Sequence, residues 1–179
     1  MTRSLGVALM LATALRAGAQ EDASTFHPIF LVTAGVAVPA GELASTMSPA
    51  PTGYIGLAFR RGRSRTSLEI GESFTTFATG GAEHATVAVS ALSMTRMIPL
   101  GPKWETYLRG GIGQSWTRGT ATDDRILDGV SHFGVAVMAG TGLRYGGRVG
   151  WLLGVNYMAL MHSGAVLHVV PIALGVDLR

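Results

Sequence analysis

The chain has 179 residues, with 14 Lys and Arg against 11 Asp and Glu, 25 Gly and no Cys. Without cysteine there is no disulfide scaffold and no thiolate metal site. Charged residues make up only 14% of the chain, where a soluble domain carries about a quarter, so the composition excludes a surface that faces water on all sides.

The first element is a leader. Arg3 gives Met1–Ala19 a positive start, Leu5–Leu15 is an uncharged apolar core, and Ala17-Gly18-Ala19 is a small-residue cleavage site before Gln20. This is the pattern of a secretory signal peptide, and its core is too short to cross a bilayer, which takes about 20 apolar residues. Cleavage removes Arg3 and Arg16, leaving 12 basic residues against 11 acidic and a charge of +1. Residues 20–179 then form a single domain. With the basic excess largely in the leader, no nucleic-acid partner is expected.

Eight strands are predicted in the remainder, over Ile29–Val38, Gly53–Arg61, Arg65–Thr76, Ala85–Met97, Lys103–Trp116, His132–Tyr145, Arg148–Leu160 and Val166–Leu178. The breaks Gly62–Ser64, Ile98–Pro102 and Gly146–Gly147 are short and carry Gly or Pro, as hairpin turns do. Pro39–Thr52 and Thr117–Ser131 are the long connections, polar or Pro-rich, and Phe77–His84 is a further break. Several strands alternate with period two: Ile55, Leu57 and Phe59 share one face, as do Val149, Trp151, Leu153, Val155 and Tyr157, and then Val170, Ile172, Leu174, Val176 and Leu178. Opposite these bulky faces lie small or polar residues. That division suits an eight-stranded antiparallel up-and-down transmembrane β-barrel, apolar toward lipid and small or polar toward a narrow lumen. A soluble ligand-binding barrel would reverse the faces and need charge outside. Ala85–Met97 is ambiguous, because Ser90 and Ser93 fall on opposite faces. Val149–Val176 has no Asp, Glu, Lys or Arg, which leaves a helical membrane span as an alternative; its Gly, Pro and Val content favours two strands.

Nine of the twelve remaining basic residues cluster at the short turns: Arg60, Arg61, Arg63, Arg65, Arg96, Lys103, Arg144, Arg148 and Arg179. The opposite end holds Glu42, Glu83, Asp123, Asp124 and Asp128. The basic rim fits either attraction to anionic headgroups or plain solvation of tight turns. Trp104 and Trp116 share one face of the fifth strand, about 30 Å apart along a tilted barrel, and with Trp151 and Tyr157 they are the candidate aromatic girdle. Glu69, Glu105, Arg109 and Arg96 are the candidate charge network of the lumen, paired because an isolated buried ion costs several kcal/mol.

Catalytic chemistry finds little support. His27, His84, His132, His162 and His168 show no metal-ligand spacing. His162-Ser163 suggests a serine hydrolase, but no acid lies near it in sequence. Gly110-Gly111-Ile112-Gly113 lies within a strand and is no phosphate loop, and Asp123, Asp124 and Asp128 lack calcium-loop spacing. No metal, cofactor or catalytic residue is expected.

Certain stretches carry a family resemblance: Gly35-Val36-Ala37-Val38-Pro39-Ala40-Gly41-Glu42, Tyr54-Ile55-Gly56-Leu57-Ala58-Phe59, Tyr107-Leu108-Arg109-Gly110-Gly111-Ile112-Gly113 and Leu174-Gly175-Val176-Asp177-Leu178-Arg179. In these the chain resembles the small eight-stranded outer-membrane barrels of the outer membrane protein A type. The resemblance implies a cell-envelope protein exported through the periplasm to the bacterial outer membrane, with outer-membrane lipids and the assembly machinery as partners. The family's last strand usually ends in an aromatic residue that this machinery recognises; here Leu178 and Arg179 stand there. The expected role is structural or surface interaction, with porin-like permeability to small solutes as an accompanying option. A lipid-modifying enzyme of the lipid A deacylase kind and a soluble secreted barrel are the alternatives.

Overall fold

The computed structural model describes residues 25–45, 47–79, 83–119, 131–162 and 165–179. The expected leader, Met1–Ala19, lies outside them, as do Asp123, Asp124 and Asp128. Eight strands follow one another: β1 Phe26–Ala40, β2 Ala50–Arg61, β3 Thr66–Thr79, β4 Glu83–Pro99, β5 Trp104–Gly119, β6 Ser131–Gly146, β7 Val149–His162 and β8 Ala165–Leu178. Each pairs antiparallel with its sequence neighbour, and β1 pairs with β8 from Phe30↔Leu178 to Ala40↔His168, closing the barrel. Closure leaves no sheet edge unpaired, which is what allows strands to cross an apolar medium.

The stretch whose hydropathy also suits a helix is β7 and β8. No helix among the described residues is long and apolar enough to cross a membrane. Val, Ile and aromatic residues at every second position favour the pleated surface, and Gly and Pro at intervals disfavour a helix.

Short turns join β2 to β3, β4 to β5 and β6 to β7 at one end. Gly62 and Gly146 adopt φ of +48° and +137° there, values that residues with a Cβ rarely take, and let the chain reverse tightly. Of the connections at the other end, those between β1 and β2 and between β5 and β6 are the longest. The sheet outgrows the apolar pattern at the end away from the short turns: β3 runs on to Thr79 and β4 starts at Glu83.

Outward positions carry the large apolar side chains, among them Ile55, Ile70, Leu92, Ile112, Leu153 and Leu174, each about half exposed. The inside has two tiers. Toward the long connections it is apolar, with Phe77, Val87, Val89, Met138, Met158, Leu160, Leu167 and Val169 packed among alanines. Toward the short turns a smaller group of Ile29, Leu31, Ala58, Tyr107 and Leu152 lies among charges. The expectation of a lumen lined only by small or polar residues is thus corrected in its upper half. There, long side chains pack across the axis and exclude water, as in any close-packed core. Phe77, expected in a connection, is 1% exposed within this tier.

Candidate functional site: the sealed lumen

Two charge clusters fill the turn half of the lumen. In the first, Arg109 of β5 donates to Glu69 of β3 at 2.9 Å, with the two side chains 9% and 1% exposed. The Tyr54 hydroxyl donates to Glu69 Oε1 and Thr95 Oγ1 donates to Oε2. Arg109 Nε donates in turn to Thr95 Oγ1 at 3.2 Å. The Arg109 guanidinium lies 5.4 Å from the Tyr54 ring and 5.7 Å from the Tyr107 ring, so cation–π attraction to both adds to that of its counter-ion.

Glycines make this arrangement possible. A Cβ at Gly56 or Gly71 would run into Tyr54, and one at Gly142 or Gly154 would run into Tyr107. Each tyrosine therefore lies flat across a pair of bare backbones on neighbouring strands. This close approach is why small residues alternate with bulky ones on these strands.

The second cluster is a closed ring of four charges at the mouth beside the turns. Arg144 Nε donates to Asp177 at 2.8 Å and Arg144 Nη1 to Glu105 Oε2 at 3.1 Å. Arg179 donates to the same two acids, both at 2.9 Å. Arg144 also donates to the carbonyls of Gly146 and Gly147, fixing the β6–β7 turn. Gly150 provides the room, since a Cβ there would meet both Arg144 and Asp177. Arg60 lies beside the ring, and its Nε has no partner among the described residues. Alternating signs with hydrogen bonds to every ion let buried charges persist where a lone one would be expelled.

Of the four lumen residues expected from the sequence, Glu69 and Arg109 meet in the first cluster and Glu105 joins the second. Arg96 does not belong. It is exposed on the outward face, in step with Leu92 and Met94, because even-numbered positions of β4 point out and odd-numbered ones point in. The residues that complete the ring, Arg144, Asp177 and Arg179, were not expected in it. Their signal lay in the alternation, since Arg144 and Asp177 stand opposite the bulky face of their strands and Arg179 follows two residues after Asp177 in the same phase.

The aromatic candidates all face outward except that Trp116 is only partly exposed. Trp104, Tyr145 and Trp151 are successive cross-strand partners and form a row near the turns. The Trp104 and Tyr145 rings lie 4.8 Å apart. Trp116 pairs with Phe133 near the other end. Tyr157 stacks on His168, its hydroxyl 2.6 Å from Nδ1.

Between the tiers lies a small cavity of about 40 Å³, lined by Tyr54, Tyr107, Arg109, Met138, Asn156 and Met158 among others. It has room for a few waters at most. At the loop end, His162 is buried with its Nε2 3.4 Å from Ser115 Oγ, and among the described residues no carboxylate is bonded to it. Ser163 lies outside the described residues. No group of three or more His, Cys, Asp or Glu able to hold a metal occurs among the described residues.

A closed eight-stranded antiparallel barrel, apolar outside and filled by side chains inside, is the fold of the small outer-membrane β-barrels. Among solved structures, Neisserial surface protein A aligns with a TM-score of 0.71 at 12% identity, over 87% of this chain and 99% of that one. The N-terminal β-barrel domain of OprF from Pseudomonas aeruginosa aligns at 0.52 with 11% identity, over 86% and 99%. Ail, the attachment invasion locus protein of Yersinia pestis, aligns at 0.50 with 8% identity, again over 86% and 99%. The likeness is one of fold. No protein-family model and no curated protein sequence matches the chain.

Proposed function

We propose that the protein is exported through the periplasm, inserted by the assembly machinery and held in the bacterial outer membrane as a non-conducting, non-catalytic barrel with a structural or surface-interaction role. The observation that carries this reading is the contrast between wall and lumen. The wall presents half-exposed Ile, Leu, Phe and Val all round, as a surface that stands in lipid does. The lumen is closed by a buried ion ring, a Tyr–Arg–Glu cluster and an apolar core in succession. An ion entering at the turns meets paired guanidinium and carboxylate groups and then hydrocarbon. Neisserial surface protein A and the attachment protein Ail share this fold, which supports a role played by loops at the outer surface rather than by a channel.

Planar bilayers test the sealed lumen. The purified barrel is expected to give no unitary conductance above the bare bilayer. Regular single-channel steps would replace the plug with a pore and restore the small-solute reading.

A further inference from the structure

One row of the outward wall breaks the apolar pattern. Glu72 on β3, Ser90 on β4 and Gln114 on β5 are direct cross-strand partners, and all three are exposed. Ser90 Oγ donates to Glu72 Oε1 across 3.4 Å, a long bond that leaves the carboxyl largely unsatisfied. Along the strands the row is flanked by Ile70, Phe74, Leu92 and Ile112, all apolar and exposed. Glu72 stands well up its strand from Thr66, and a tilted strand climbs about 2.5 Å per residue, placing the carboxyl roughly 15 Å above the turn end. That depth is inside the apolar band, where an acid facing hydrocarbon is costly and marks a partner. Beside the row the wall is indented. Gly53, Ala88 and Ser90 floor a groove of about 830 Å³, and Ile55, Phe74, Trp116 and Phe133 rim it.

We propose that this row and groove are the contact face of a homodimer, the occupant being a second copy of the chain. The inference rests on the membrane reading above. The row carries its own complement: a carboxyl acceptor at one end, an amide donor at the other and a hydroxyl in the middle. A half-turn about the membrane normal near Ser90 sets Glu72 of each copy against Gln114 of the other, the self-complementary arrangement of an isologous interface. Strand tilt raises one end of the row above the other by about 6 Å over two strand spacings, and Glu and Gln side chains together bridge that offset. Small residues on the groove floor let two walls approach closely, and the aromatic rim of one copy enters the groove of the other. An acyl chain would fill the groove yet leave Gln114 without a partner and Glu72 with only its long bond from Ser90.

The chain has no cysteine, so a single one reports cleanly. Ser90→Cys is placed in the full chain, which is recovered in outer membranes, checked for faster migration before boiling than after, and oxidised with copper phenanthroline. A disulfide-linked dimer on a non-reducing gel is expected. The same band should be largely lost when Glu72→Ala and Gln114→Ala are added. Ile172→Cys, outward on β8 across the barrel, should stay monomeric. A folded Ser90→Cys chain that cross-links no better than Ile172→Cys overturns the proposal, as does a folded monomer whose copurifying lipid is lost with Glu72→Ala. A chain that migrates alike before and after boiling would instead contradict the membrane reading itself.

Discussion

Arg144 is 2% exposed and bonds Asp177, Glu105 and two turn carbonyls at once. Arg144→Ala strands Asp177, which is fully buried, with only Arg179 to hold it. A loss of about 3–5 kcal/mol is expected, as for any buried pair broken from one side. Arg63→Ala, in an exposed turn, should change stability by no more than about 0.5 kcal/mol. Urea titration of the folded fraction in detergent separates the two, and equal midpoints would remove the ring from the account. The glycine–tyrosine contact gives a second residue-level prediction. In Gly154→Ala the new methyl overlaps the Tyr107 hydroxyl, costing about 1–3 kcal/mol by overpacking. Tyr107→Phe removes the colliding oxygen, so the same glycine substitution should cost clearly less in that background. Additive effects in the double-mutant cycle would contradict the contact. At this scale the sequence was legible wherever alternation was clean. Glu69, Glu105 and Arg109 could be placed inside from parity alone. Arg96 could not, because serines on both faces of β4 hid its phase, although Leu92, Met94 and Ile98 at every second position marked its side as outward. Arg144 and Asp177 could be read as inward, but their meeting required knowing that β8 lies beside β7 with Gly150 opposite Asp177.

Each strand is partitioned along its length as well as across its faces. Inward positions of β3 pass from Ser67 and Glu69 near the turn to Thr75 and Phe77 near the loop, and β7 passes from Gly150 to Met158 and Leu160. Pairing between neighbours keeps these grades in step, which stacks a polar tier under an apolar one. Phe77 is fully enclosed in the upper tier, so Phe77→Ala should cost about 3–5 kcal/mol through lost burial and the cavity left behind. Refolding titrations into lipid vesicles measure this, and a cost near zero would mean that the upper tier is not a packed core. Strand number and order were readable from period-two patterning and turn residues. Strand ends were not, since backbone pairing continues where the side chains turn small or polar: Ala78 pairs with His84 and Thr79 with Glu83, beyond the predicted ends at Thr76 and Ala85.

For the molecule as a whole, the scarcity of charge has a spatial explanation. Most of the described surface between the two ends is wall, and the wall is apolar apart from the row at Glu72, so charge is otherwise confined to the ends and to paired groups inside. Arg61, Arg63, Arg65, Arg96, Lys103 and Arg148 are exposed around the turn end, whereas Arg144 turns inward to neutralise acids. The central claim is that this chain is a closed barrel standing in an outer membrane with lipid against its wall. Its most direct test is gel migration of the protein from fractionated outer membranes, with and without boiling. A compact, faster-migrating band that shifts to the full apparent mass on heating, found in the outer-membrane fraction, is the predicted result. Identical migration before and after boiling, or recovery in a soluble fraction, would contradict it.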